Sequence, residues 1–94
     1  MEKINDVIKD VLINLGYKNL YYAGILKKNW KNIVGDLIAS VSNPDRIERE
    51  TLYIKCSNPA WKQELYFFKE EIIEKINLFF KDFEIKDIKI YFKR

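Results

Sequence analysis

The chain has 94 residues, of which 48% are hydrophobic and 33% are charged, and its formal net charge is +3. This balance excludes bulk disorder and predicts one small globular domain spanning residues 1–94. Because histidine is absent and Cys56 is the one cysteine, the composition excludes an intrachain disulfide, His-dependent nucleophiles and the usual zinc sites.

Two amphipathic helices are predicted in the first half of the chain. Apolar residues recur at helical spacing from Ile4 to Leu15, and Gly16 stands where a left-handed C-terminal cap belongs. A second helix is expected over about residues 20–39, broken near Gly24, with Gly35 allowing another element to approach closely. Its apolar stripe consists of Leu26, Trp30, Ile33, Val34, Leu37 and Val41.

A loop and a β-hairpin are predicted next. Residues 42–45 have the composition of a loop, and Pro44 ends the preceding helix. From residue 46 to residue 56, apolar and polar residues alternate as in a half-buried hairpin, with the turn near Arg49 and Glu50. The residues expected to face the core are Ile47, Leu52, Ile54 and Cys56.

The last part of the chain is predicted to form a long helix and a third strand. Asn58 caps the helix and Pro59 occupies its first position. Apolar residues then step by three or four from Trp61 to Phe79, which predicts one uninterrupted helix of about 22 residues. Alternation over residues 88–92 predicts the strand. The expected fold class is α+β, a three-stranded sheet with helices mainly on one face, and a parallel pairing of strands two and three implies a right-handed crossover.

Basic residues cluster in two segments of the chain. No acid occurs between Asp10 and Asp36, and none follows Asp87. The lysines and tyrosines of the first segment suit single-stranded nucleic acid, which is held by base stacking and phosphate neutralisation. The same lysines also suit an ordinary solvated face, and the position of Trp30 on the apolar stripe predicts that it lies in the core. The candidate phosphate-contacting residues are Lys18, Lys27, Lys28, Lys31, Lys93 and Arg94.

Catalytic and cofactor sites are not predicted. Glu70 and Glu74 lie opposite the apolar stripe, as on a solvated helix face, and the three glycines form no phosphate-binding loop. We therefore expect no enzyme activity, no metal, no cofactor and no small-molecule substrate. No apolar stretch reaches the length of about 18 residues that a membrane span needs, and the acidic start differs from a secretory signal, so a cytoplasmic protein is expected.

Trp61 is the candidate for a contact with a partner. It begins a helix directly after a strand, which places it at the rim of the predicted sheet. A large aromatic residue at this position caps the core, anchors an interface, where tryptophan is enriched, or does both.

Two motifs resemble the signatures of the DciA family of bacterial proteins. Residues 30–44 read W-x-x-I-V-G-x-x-I-A-x-x-S-x-P, and residues 51–65 read T-L-x-I-x-C-S-N-P-A-W-x-Q-E-L. Asn77 falls at a third family position, and the resemblance extends over roughly residues 20–92. It implies a domain similar to type II KH domains but without their GxxG loop. It also implies a role in recruiting the bacterial replicative DNA helicase and helping it load in DNA replication initiation, with no nucleotide of its own.

The resemblance leads to a specific functional expectation. We expect a non-enzymatic adaptor that binds the replicative helicase through Trp61, Lys62 and Gln63 and contacts single-stranded DNA weakly and in a salt-sensitive way. The alternatives are a KH-like single-stranded nucleic-acid-binding module without a helicase role, and an interaction domain that shares only the fold. An edge-to-edge dimer of the sheet is a further expectation that stays open.

Two departures from the family pattern bear on these expectations. Family members usually carry glycine where this chain has Glu50, which puts the hairpin geometry in doubt. Many members also have a long flexible extension, whereas this sequence stops at Arg94. A minimal version of this kind either handles DNA poorly or uses its own lysines.

Overall fold

The fold is built from five helices and three strands within residues 2–93, which are the residues that this computed structural model describes; its side chains are described from Asp6 onwards. The elements in chain order are α1 (Glu2–Asn14), α2 (Lys18–Val34), α3 (Asp36–Val41), β1 (Ser42–Glu48), β2 (Thr51–Cys56), α4 (Pro59–Phe67), α5 (Lys69–Phe79) and β3 (Asp87–Phe92).

The three strands form one mixed sheet in the order β1-β2-β3. The hairpin strands β1 and β2 are antiparallel, and β3 joins β2 in parallel after the α4–α5 connection. The predicted α+β class is therefore confirmed. Helices α2, α4 and α5 pack against one face of the sheet, and the predicted core positions Ile47, Leu52, Ile54 and Cys56 are all buried there. The remaining core residues are Tyr22, Ala23, Leu26, Trp30, Val34, Leu65, Ile72, Ile76, Phe80, Ile85, Ile88 and Ile90.

Helix α1 forms as predicted, but most of its apolar stripe faces outward. Gly16 has φ +86° and supplies the expected left-handed cap. An ion pair between Lys9 and Asp82 ties α1 to the segment after α5. Val7 and Leu15 are nevertheless 62% and 64% exposed. The side chain of Ile4, the first member of the predicted stripe, lies outside the described side chains.

The break in the second helix was predicted at the wrong glycine. Helix α2 runs through Gly24, and it ends at Gly35, where φ is +90°. Gly24 is tolerated because its neighbour Ala23 is buried, and this packing offsets the cost of about 1 kcal/mol for glycine in a helix. The role given to Gly35 was also wrong, since a Cβ there would meet nothing within 4 Å. Gly35 instead permits the backbone turn that separates α3, so three helices precede the sheet where two were expected.

The predicted loop at residues 42–45 was wrong, because β1 begins at Ser42. Proline is compatible with this strand because β1 lies at the edge of the sheet, where the N–H groups on the outer side of the strand need no hydrogen bond to a neighbouring strand. The register shifts between Pro44 and Arg46, so a bulge follows the proline.

The long helix was also predicted incorrectly, as it is divided at Phe68 into α4 and α5. The division changes which apolar residues point inward. Ile72 and Ile76 are buried as expected, but the stripe ends on Phe80, while the predicted Phe79 is 40% exposed. The joint lets α4 contact β2 and β3 while α5 packs against α2.

The hairpin turn falls at Arg49 and Glu50, as predicted. Arg49 has φ +57° and is the one non-glycine residue within residues 2–93 with a positive φ. Glu50 therefore needs no glycine-like conformation, and its carbonyl oxygen accepts the N–H group of Lys86 at 2.9 Å. The departure from the family's glycine leaves the turn intact.

The outer edge of β3 is covered by a side chain of α4. The Ile90 N–H donates to the Tyr66 hydroxyl at 3.0 Å, and that hydroxyl lies 3.5 Å from the Ile90 carbonyl oxygen. Backbone groups at an unprotected edge invite pairing with another chain. Tyr66 satisfies the N–H group and its side chain covers the carbonyl group beside it, which opposes the edge-to-edge dimer at this strand.

Tyr66→Phe is expected to lower the free energy of unfolding by about 1–2 kcal/mol, because the buried Ile90 N–H loses its acceptor. Urea denaturation followed by circular dichroism measures the change. Tyr17→Phe is the matched control, since Tyr17 is exposed and its hydroxyl has no partner among the described side chains. Equal stability of the two variants would contradict the role given to Tyr66.

Candidate partner-binding and nucleic-acid-binding surfaces

The start of α4 presents the predicted partner-binding residues at the rim of the sheet. The Asn58 side chain accepts a hydrogen bond from the Trp61 N–H at 3.2 Å, and Pro59 occupies the first turn, so the predicted helix start is confirmed. Trp61 is half-buried and packs against the core, whereas Lys62 and Gln63 are exposed. The tryptophan side chain therefore packs against the core and stays partly exposed.

The segment before α4 is anchored by hydrogen bonds of its own. The Cys56 thiol lies 3.3 Å from the Asn58 carbonyl oxygen and is buried. The Ser57 N–H donates to the Val41 carbonyl oxygen at 2.9 Å, which links the end of β2 to the end of α3. This support fixes the direction in which α4 leaves the sheet, and thereby the position of Trp61.

Trp30 lies in the core, as predicted. It is 4% exposed, and its indole N–H donates to the Ser42 hydroxyl at 3.1 Å. Ser42 in turn donates to the Ile38 carbonyl oxygen at 2.6 Å. The chain of hydrogen bonds joins α2, α3 and β1, so Trp30 is a structural residue and is not available for stacking on a base.

The lysines of α2 divide between two places. Lys27, Lys28 and Lys31 are exposed and line one shallow depression at the junction of α2 and α3. Lys31 also lies 3.8 Å from the Asp36 carboxylate. Lys18 is elsewhere, with its ammonium group 5.5 Å from the centre of the Phe83 ring.

The C-terminal members of the predicted basic set belong to a third place. Lys93 lines a depression of about 660 Å³ on the open face of the sheet. Arg94 lies outside the described residues. The six predicted basic residues therefore do not form a single site.

The open face of the sheet carries a basic and aromatic surface that the sequence analysis missed. Arg46, Tyr53 and Lys89 stand side by side across the three strands, and Lys55 and Tyr91 are paired in a neighbouring row. The alternation in β2 and β3 was a usable signal, since it places these side chains opposite the core. The register between strands, which brings them together, was not readable from the sequence.

Charges on this face are organised around Arg46. Its guanidinium group contacts the Asp45 carboxylate at 2.6 Å and the Glu48 carboxylate at 3.0 Å, and it lies 4.1 Å from the centre of the Tyr53 ring. The Tyr91 hydroxyl donates to Asp45 at 2.6 Å. This hydrogen bond, followed by the one from Arg46, lowers the pKa of Asp45, and the same carboxylate raises the pKa of Tyr91.

The acidic residues considered in the sequence analysis do not converge. Glu70 and Glu74 are exposed on α5. Across the described side chains, no group of three or more cysteine or acidic residues is arranged to hold a metal ion. Within residues 2–93, no helix is both long enough and apolar enough to cross a membrane.

These features define an α+β domain whose hairpin, connecting helices and third strand follow the expected order. Residues 3–90 match the family model described as "Dna[CI] antecedent, DciA". The chain therefore belongs to the DciA family. A search of curated proteins found no match. Membership implies a role related to loading of the DnaB helicase in replication, in a family known for loaders and adaptors rather than enzymes.

Proposed function

We propose that this protein is a non-enzymatic adaptor that binds the bacterial replicative DNA helicase in the cytoplasm and assists its recruitment and loading. The family match over residues 3–90 is the observation that carries the proposal. The mechanism uses binding energy alone. An adaptor that binds one conformation of the helicase more tightly than the others shifts the population towards that conformation.

The start of α4 is the surface that we propose for the helicase contact. Trp61 combines a ring fixed by the core with a partly exposed edge, and this rigidity limits the entropy lost on binding. Lys62 and Gln63 flank it and are exposed. An aromatic anchor with polar neighbours is the usual composition of an interface centre and its rim.

Trp61→Ala is expected to weaken binding to the helicase at least about tenfold, since a buried interface tryptophan typically contributes more than 1.4 kcal/mol. The measurement is a fluorescence anisotropy titration of labelled variants with the helicase of the same organism. Phe79→Ala is the matched control, because Phe79 is a partly exposed aromatic residue on α5. Its affinity should equal that of the wild type.

Loss of the fold would also abolish binding, so a second variant is needed. Lys62→Glu changes an exposed side chain and should leave the circular dichroism spectrum unchanged while weakening the complex. If Trp61→Ala and Lys62→Glu both bind like the wild type, the helicase contact lies elsewhere.

The basic residues of α2 are proposed as weak DNA contacts. Lys27, Lys28 and Lys31 share one depression, so they suit a short stretch of phosphates. Their contribution should fall steeply with salt, because phosphate contacts release counterions. The same surfaces favour a second candidate, a KH-like single-stranded nucleic-acid-binding module without a helicase role. At physiological salt, an adaptor should bind the helicase, whereas a nucleic-acid-binding module should bind only nucleic acid.

A further inference from the structure

We propose that the open face of the three-stranded sheet is a binding site for single-stranded nucleic acid. The phosphates contact Lys55, Lys89 and Lys93, which all line the same depression. This site is distinct from the start of α4 and from Lys28 and Lys31, and Lys27 lies at its border, beside Asp45 and Arg46. The inference goes beyond helicase binding and does not depend on it.

The register of the strands sets cations and rings in alternation. Tyr53 is directly opposite Lys89, and Lys55 is directly opposite Tyr91. Adjacent strands are about 4.8 Å apart, and successive residues on one face are about 6.6 Å apart. The two rings therefore lie on a diagonal of about 8 Å. One base of an extended strand can meet the Tyr91 ring and another the Arg46 guanidinium group over Tyr53, while the phosphates reach the lysines beside them.

Three lysines on this face are free to accept phosphates. Among the described side chains, Lys55, Lys89 and Lys93 make no ion pair. Asp45 and Glu48, the acids of β1, are both engaged by Arg46. The guanidinium group offsets one of these two carboxylate charges, so a single negative charge remains on β1 against the three lysines.

The rings are held in place before any ligand arrives. The hydrogen bond from the Tyr91 hydroxyl to Asp45 fixes the orientation of that ring. Arg46 lies over the Tyr53 ring, and a guanidinium plane is itself a surface on which bases stack. Prepositioned groups lose little side-chain entropy on binding. A surface of this kind binds without reading base sequence, because every base has a flat face.

The test uses a fluorescein-labelled oligo(dT) of about fifteen nucleotides, within the span that one small domain covers, titrated by anisotropy at several salt concentrations. The double variant Lys55→Gln/Lys89→Gln should reduce the slope of log K against log salt by about 1.4, at about 0.7 per lost phosphate contact. The matched control is Lys81→Gln/Lys86→Gln, two exposed lysines between α5 and β3 that belong to neither proposed DNA surface, which should change the slope less. Equal or larger loss in the control would overturn the proposal.

Stacking is tested separately from charge. Tyr91→Leu should weaken oligo(dT) binding about tenfold, whereas Tyr91→Phe retains the ring but loses the hydrogen bond to Asp45, so its affinity should lie between those of Tyr91→Leu and the wild type. Circular dichroism shows whether each variant is folded. If poly-glutamate of similar length competes as well as oligo(dT), and Tyr91→Leu weakens neither, the face binds acidic protein segments and the proposal fails.

Helicase binding serves as an independent readout. The Lys55→Gln/Lys89→Gln variant should keep the helicase affinity of the wild type. If the wild type binds oligo(dT) as described but never binds the helicase, the adaptor function fails and the sheet site stands. If it binds the helicase and the sheet variants bind oligo(dT) normally, the sheet site fails and the adaptor function stands.

Discussion

Replacing Trp30 by alanine is expected to lower the free energy of unfolding by about 3–5 kcal/mol, the largest effect of any change considered for this protein. The side chain is 4% exposed and packs where α2, α3 and β1 meet, so its removal leaves a large cavity. The total stability of a small domain is about 5–15 kcal/mol. Urea denaturation should therefore show a much lower midpoint, or a chain that is unfolded in buffer.

Trp30→Phe separates packing from hydrogen bonding. Phenylalanine fills much of the volume but cannot donate to the Ser42 hydroxyl, so a smaller loss of about 1–2 kcal/mol is expected. Leu37→Ala on α3 is the surface control and should be nearly neutral, because Leu37 is exposed. A Trp30→Ala variant as stable as this control would contradict the core role of Trp30.

Asn77→Ala is expected to cost about 2–4 kcal/mol of unfolding free energy. The Asn77 side chain accepts from the Ile85 N–H at 2.8 Å and donates to the Ile85 carbonyl oxygen at 2.9 Å. Ile85 is 0% exposed, so both backbone groups lose their partners in the protein interior, at about 1–3 kcal/mol each. Asn77 thus fastens the segment that leads into β3 onto α5.

The control for this change is Asn32→Ala, since Asn32 is exposed on α2. Asn77→Asp keeps an acceptor for the Ile85 N–H but sets a carboxylate oxygen against the Ile85 carbonyl oxygen, so this variant should also be less stable than the wild type. Equal unfolding midpoints for Asn77→Ala and Asn32→Ala would show that the two hydrogen bonds contribute nothing.

Local patterns predicted the elements well where one physical rule dominates. The alternation in β2 and β3 predicted two strands correctly, and the Asn58-Pro59 pair predicted the start of α4. The positions at which helices end were harder to predict from the sequence. Gly24 and Gly35 are equally unfavourable helix positions as far as residue type is concerned. Only the tertiary packing of α2 decides that the helix continues through Gly24 and ends at Gly35.

The joint at Phe68 shows the same limit for helices. Apolar spacing is continuous through residues 61–79, so the sequence favours one helix. The structure instead ends α4 at Phe67, where the chain changes direction: α4 contacts β2 and β3, whereas α5 contacts α2 as well as β3. Because the apolar spacing is the same before and after Phe68, the sequence pattern does not indicate that the chain changes direction there.

The candidate sites were predictable to different degrees. The place of Trp61 after a strand was predicted correctly, and its neighbours Lys62 and Gln63 are exposed beside it, whereas the role of all three in binding stays a prediction. The basic set was found by charge along the chain, but charge along the chain does not show which lysines meet in space. The open sheet face was missed because Arg46 and Lys89 are 43 residues apart in sequence, and only the register of β1, β2 and β3 places them in one row.

The most direct test of the central claim is a titration of this protein with the replicative helicase of the same organism. It is run at about 150 mM salt, where weak phosphate contacts are partly screened, with and without single-stranded DNA. We expect saturable binding to the helicase alone, weakened by Trp61→Ala. Binding to DNA but never to the helicase would contradict this expectation.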